Sequence, residues 1–120
     1  MLEVDALSTV YLKTQITAFS GGQLVNPTGD VVQFAFSLLP ANPSGQPVSH
    51  YPDPATWETG SWETVSVTAP SLYFARILIG PEGTVNLATG VTLPAVFYVR
   101  CQIQDNPETP VLRCGSFALV

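Results

Sequence analysis

Eleven prolines and nine glycines are spread over residues 21–115 rather than gathered into one linker, and no other feature constrains the fold as strongly. They cut the chain into segments of about 6 to 11 residues rich in Val, Thr, Phe, Tyr and Ile, the length and composition of β-strands. Proline breaks a helix interior and glycine weakens it, so long helices are not expected. Residues 2–20 contain neither, yet are heavy in Thr, Ser and Val and lack a 3.6-residue apolar period. Short strands separated by turn residues suit a sandwich or barrel.

The chain carries enough apolar material, 46% of its residues, for one domain over residues 1–120. A domain this size buries roughly two-thirds of its unfolded surface. Four cations (Lys13, Arg76, Arg100, Arg113) face nine acids, for a net charge of −5. The cations are scattered, which argues against nucleic acid as a partner. Mean hydropathy is positive, but no apolar run approaches the roughly 18 residues of a bilayer helix and no signal-peptide pattern is visible. A soluble chain made in a cytoplasm, with no membrane partner, is expected.

Alternation places the strands. Residues 9–17 set Val10, Leu12, Thr14 and Ile16 inward, and Gly21-Gly22 ends that strand. A turn at 26–30 leads into 31–39, with Val32, Phe34, Phe36 and Leu38 as the apolar face. Residues 40–54 hold five prolines and read as a long surface loop outside any ladder. Trp62 opens a strand running to Thr68, and Trp57 sits before it on a helical turn or extended loop. Residues 72–79 look covered on both faces. Gly80-Pro81-Glu82-Gly83 has turn chemistry and predicts a hairpin into 84–87. In 95–104, Ala95, Phe97, Val99, Cys101 and Ile103 face the core, and 111–120 forms the terminal strand. About seven strands result, mainly antiparallel.

Little in the chain can do covalent chemistry. A symmetric final hairpin sets Cys101 opposite Cys114, and Phe97, Val99 and Ile103 opposite Ala118, Ser116 and Leu112. The two thiols could form a disulfide or half a metal site, but the favoured reading is a pair of small core hydrophobes, since bonds between directly paired neighbours are geometrically awkward. Zinc needs about four ligands, and only His50 remains to help. His50 lies in the proline-rich loop without a nucleophile elbow, and the close acid pairs Glu58/Glu63 and Asp105/Glu108 lie in turn-like segments. No phosphate-binding glycine motif is present. No catalytic residue, metal or cofactor is therefore assigned, and no enzymatic activity is expected.

Binding has candidates. Tyr51, Trp57 and Trp62 gather in and after the long loop, where aromatics offer contact area at low entropy cost. The simpler alternative makes Trp62 a core residue and Trp57 a cap on a sheet edge. Arg76, Arg100 and Arg113 interrupt strands and read either as interface cations or as a solvent face.

The phrase 57–62 (Trp-Glu-Thr-Gly-Ser-Trp), Tyr73-Phe74-Ala75-Arg76, Ile79-Gly80-Pro81-Glu82-Gly83, Tyr98-Val99-Arg100 and the run 105–111 (Asp-Asn-Pro-Glu-Thr-Pro-Val) together resemble small β-sandwich virion proteins of tailed phages, especially those infecting actinobacteria. The likeness covers residues 28–120, and the stretch 28–34 is similar to Ig-like domains of baseplates. It implies a single Ig-like β-sandwich and a non-enzymatic structural subunit of the virion, at the head or head-to-tail connection. The partners would be other virion proteins and copies of itself in a symmetric ring or lattice. The alternatives are a tail or baseplate component and, from a different class, a carbohydrate-binding module using Trp57, Trp62 and Tyr51. Synthesis in the host cytoplasm and localisation in the virion follow from the same resemblance.

Overall fold

The computed structural model describes residues 2–20, 23–38, 56–65, 72–104 and 109–120. Among these are ten strands and no helix: β1 (Leu2–Val4), β2 (Val10–Ile16), β3 (Ala18–Ser20), β4 (Gln23–Val25), β5 (Val31–Leu38), β6 (Glu58–Thr59), β7 (Ser61–Val65), β8 (Leu72–Ile79), β9 (Ala95–Gln104) and β10 (Val111–Leu119). The loop expected over 40–54, with His50 and Tyr51, lies outside the described residues.

One sheet runs β1-β10-β9-β5-β6 and the other β2-β8-β7, while β3 and β4 form a separate two-stranded ribbon. The strand pairs are antiparallel, except that β1 lies parallel on β10. The protein is an all-β sandwich. Its β10-β9-β5 and β2-β8-β7 orders correspond to the G-F-C and B-E-D orders of the immunoglobulin arrangement. Val32, Phe34, Phe97, Val99, Cys101 and Phe117 of the larger sheet join Ile16, Ala75, Ile77 and Ile79 of the smaller one in a single buried cluster.

The period-2 pattern identified the inward phase of β2 and β9, whose other sides are solvated or half-covered. In β9 every second residue from Ala95 to Ile103 is buried, as expected. In β8 the Tyr73 to Ile79 face reaches the core, whereas Phe74, Arg76 and Leu78 are only half-buried and Leu72 is exposed, so the second face is less covered than the sequence suggested. In β5, Val32 and Phe34 are buried but Leu38, near the sheet's end, is exposed.

Three features differ from or add to what the sequence suggests. First, Gly80 to Gly83 does form a turn, with the Gly83 amide donating to the Gly80 carbonyl at 3.0 Å, but no hairpin follows. Thr84 donates back to the Leu78 carbonyl at 2.8 Å, and Val85 makes one parallel bridge to Ile79 before the chain leaves the sheet. Second, the strand expected at Trp62 forms as β7, its expected end at Thr68 lying outside the described residues, and it is preceded by the unanticipated β6 on the other sheet. Glu58 and Thr59 pair with β5, whereas Ser61 onward pairs with β8, so the chain crosses the sandwich at Gly60.

Third, the β9–β10 register differs from the symmetric closure. Leu112, not Cys114, lies opposite Cys101, and a bulge between Arg113 and Ser116 shifts the pairing so that Phe117 faces Phe97. The extra residue reverses the inward phase of the strand, since a slip of one residue exchanges the faces. Phe117 and Leu119 are buried in place of Ser116 and Ala118. Gly115 sits in the bulge at φ 97°, a left-handed conformation that suits a residue without a Cβ. Strand β1, too short to announce itself by alternation, was not anticipated.

Candidate functional site

Two places concentrate polar or reactive groups. The first is the outer face of the three-stranded sheet. Register pairing sets Arg76 of β8 between Lys13 of β2 and Ser61 of β7. Adjacent like charges repel, and here a carboxylate offsets them. Lys13 Nζ reaches across β8 to donate to Glu63 Oε2 at 2.6 Å, and Arg76 Nη1 lies 3.7 Å from the same oxygen. Arg76 Nε donates to Ser61 Oγ at 3.2 Å, and its guanidinium carbon lies 4.4 Å from the centre of the Tyr11 ring, a cation–π contact. The Lys13 hydrogen bond holds the Glu63 carboxyl below its ordinary pKa, with the Lys13 and Arg76 charges acting in the same direction and desolvation opposing them. Arg76 is thus engaged within its own sheet.

The other sequence candidates are dispersed. Arg100 and Arg113 are register partners on β9 and β10. Arg100 alternates with buried Val99 and Cys101, which puts it on the outward face of the larger sheet. Trp62 lies on the inward side of β7, packed against the core, and donates Nε1 to the Asp30 carbonyl at 2.8 Å. Trp57 is half-buried just before β6, at the edge of the larger sheet. Tyr51 lies outside the described residues, so no shared aromatic platform with the two tryptophans is described.

The second place was missed in the sequence as a geometry, although its residues were noticed. The bulge places Cys114 diagonally to Cys101, with the two sulfurs 3.3 Å apart and both cysteines free. Gly115 beside Cys114 was the available signal, since a lone glycine inside a strand often marks a bulge. Cys101 is fully buried and Cys114 half-buried. Cys114 lines a cavity of about 100 Å³ with Leu2, Leu12, Lys13, Thr14 and Phe117.

A larger groove of about 310 Å³ lies where β1 and β2 approach, walled by Leu2, Val4, Val10, Tyr11 and Leu12 together with the polar residues Glu3, Asp5 and Ser8. Each of these strands is the last in its sheet among the described residues. Among the described residues no cluster of three His, Cys, Asp or Glu side chains could hold a metal ion. No family model, curated protein or solved structure matches the chain.

Proposed function

We propose that this chain is a non-enzymatic structural subunit of a tailed-phage virion, at the head or head-to-tail connection, and that it works by packing against neighbouring subunits. The observation that carries the packing role is the open side of the sandwich. Around the β1/β2 groove, Leu2 is 59% exposed, Tyr11 46% and Val10 36%. Scattered apolar residues are ordinary on a surface, but here they flank a groove beside two strands that end their sheets, where backbone donors and acceptors can accept another strand. The low charge points the same way: 11% of residues are charged, against about 25% in an ordinary soluble domain. Placement in a virion rests on the resemblance of the 57–62 phrase and the 98–111 region to phage proteins. The carbohydrate-binding reading draws less support, since Trp62 turns inward and is hydrogen-bonded there.

Mass spectrometry of purified particles tests the proposal. The chain should be present in constant ratio to the head and neck proteins, and should stay bound through a wash at about 0.5 M salt, where screening falls to a few ångströms. Absence from the particle would refute the virion assignment. Release by salt would show that attachment is electrostatic and refute apolar packing.

A further inference from the structure

We propose that Cys101 and Cys114 form a peroxide-sensitive dithiol that closes into a disulfide between β9 and β10. The inference stands on the cysteine geometry and does not depend on the virion reading.

The bulge creates the site. In a regular ladder the residue directly opposite Cys101 would share its backbone pairing, and that arrangement constrains a disulfide torsion poorly. Here Leu112 occupies the opposite position, and the extra residue brings Cys114 alongside from the diagonal. The sulfurs are already at 3.3 Å, so closure to a disulfide bond requires each to move by well under 1 Å, roughly 1.3 Å in total. In an immunoglobulin-type sandwich, the strand equivalent to β9 commonly contributes a cysteine to a bond between the sheets. In this chain the corresponding thiol instead faces a partner within its own sheet.

The two sulfurs have different surroundings, and these assign their roles. Cys114 opens onto the cavity of about 100 Å³, which has room for a peroxide molecule and includes the polar residues Lys13 and Thr14 in its lining. Cys101 is sealed in the core. A hydrogen bond from the Cys101 thiol favours the Cys114 thiolate and lowers its pKa to about 7, against the opposing effect of desolvation; the same hydrogen bond, followed by burial, pushes Cys101 up. Cys114 is therefore the attacking sulfur and Cys101 the resolving one.

In the first step the Cys114 thiolate attacks one oxygen of hydrogen peroxide. The O–O bond breaks, and the departing hydroxide takes a proton from solvent, leaving a sulfenic acid on Cys114 and one water. In the second, the Cys101 sulfur attacks the sulfenic sulfur, an S–S bond forms and the S–O bond breaks. The Cys101 proton leaves with the hydroxide as a second water. Two thiols and one peroxide become one disulfide and two waters. The product ties β10 to β9 around a short loop.

Treating the purified chain with hydrogen peroxide, alkylating it under denaturing conditions and mapping its peptides tests the proposal. The expected product is monomeric, lighter by two hydrogens, blocked at both cysteines and linked Cys101 to Cys114, with full reversal by dithiothreitol. Cys101→Ser should stop at a dimedone-reactive sulfenic acid on Cys114, whereas Cys114→Ser should leave Cys101 reduced. The wild-type peptide map decides the matter even if either variant fails to fold. Cys114 oxidised to sulfinic acid beside an alkylatable Cys101, disulfides only between chains, or no oxidation at all would each overturn the proposal.

Discussion

Gly60→Ala is expected to lose about 3 kcal/mol of folding stability in urea titration, at the upper end of what overpacking costs. Gly60 is where the chain passes from one sheet to the other, with its amide donating to the Val32 carbonyl at 2.9 Å. A Cβ placed there would lie 2.6 Å from the Arg76 carbonyl oxygen and 2.8 Å from a ring carbon of Phe34. Neither neighbour can yield cheaply. The Arg76 backbone is paired on both sides, and the Phe34 ring is among the most deeply buried side chains. Gly29 supplies the control, because a Cβ there meets nothing within 4 Å. Gly29→Ala should change stability by no more than about 0.5 kcal/mol. Equal effects at the two sites would remove the close approach from the account.

Phe117→Ala is expected to cost about 3 to 5 kcal/mol, the range for deleting a buried aromatic ring. Phe117 stacks on Phe97 with ring centres 5.8 Å apart and meets Phe36 edge-on at 6.4 Å. Its neighbour Ala118 points the other way, so Ala118→Ser should stay within about 0.5 kcal/mol. The pair reads the bulge directly by urea titration. In an unbulged β10, Ala118 would face the core and Phe117 the solvent, and the two costs would exchange order.

These two sites also mark where the sequence stops being legible. Within one strand, alternation tells inside from outside, and it did so for β2 and β9. Alternation cannot locate a phase change, because the residues before and after a bulge each satisfy period 2 by themselves. Leu112 and Cys114 were assigned correctly by parity with the inner face, while Ser116 and Ala118 were assigned to the face that Phe117 and Leu119 occupy. Strand β1 gave no signal, since three residues cannot establish a period and their partners lie at the opposite end of the chain. The crossing at Gly60 is similarly non-local, for its constraint comes from Phe34 and Arg76. The turn at Gly80 to Gly83 was readable from its own residues, but what the chain pairs with after a turn depends on tertiary contacts.

The candidate sites divide in the same way. Arg76 was noticed as a cation inside a strand, but Glu63, Ser61 and Tyr11 become its partners only when β2, β8 and β7 are placed side by side. Both cysteines were noticed and placed on one face, but as direct partners, because the register was taken as symmetric. The β1/β2 groove had no sequence signature. Its walls come from the edges of two different sheets, and Leu2 and Val4 belong to a segment that reads as a short polar-apolar mixture.

A photo-crosslinking residue substituted for Tyr11, on the wall of the β1/β2 groove, gives the most direct test of packing by neighbours. In assembled particles irradiated and resolved under denaturing conditions, the account predicts a covalent product joining this chain to a second virion protein or to another copy of itself. A chain that is incorporated in normal amount yet gives no intermolecular product from that position would contradict the assignment of the open side as the packing surface.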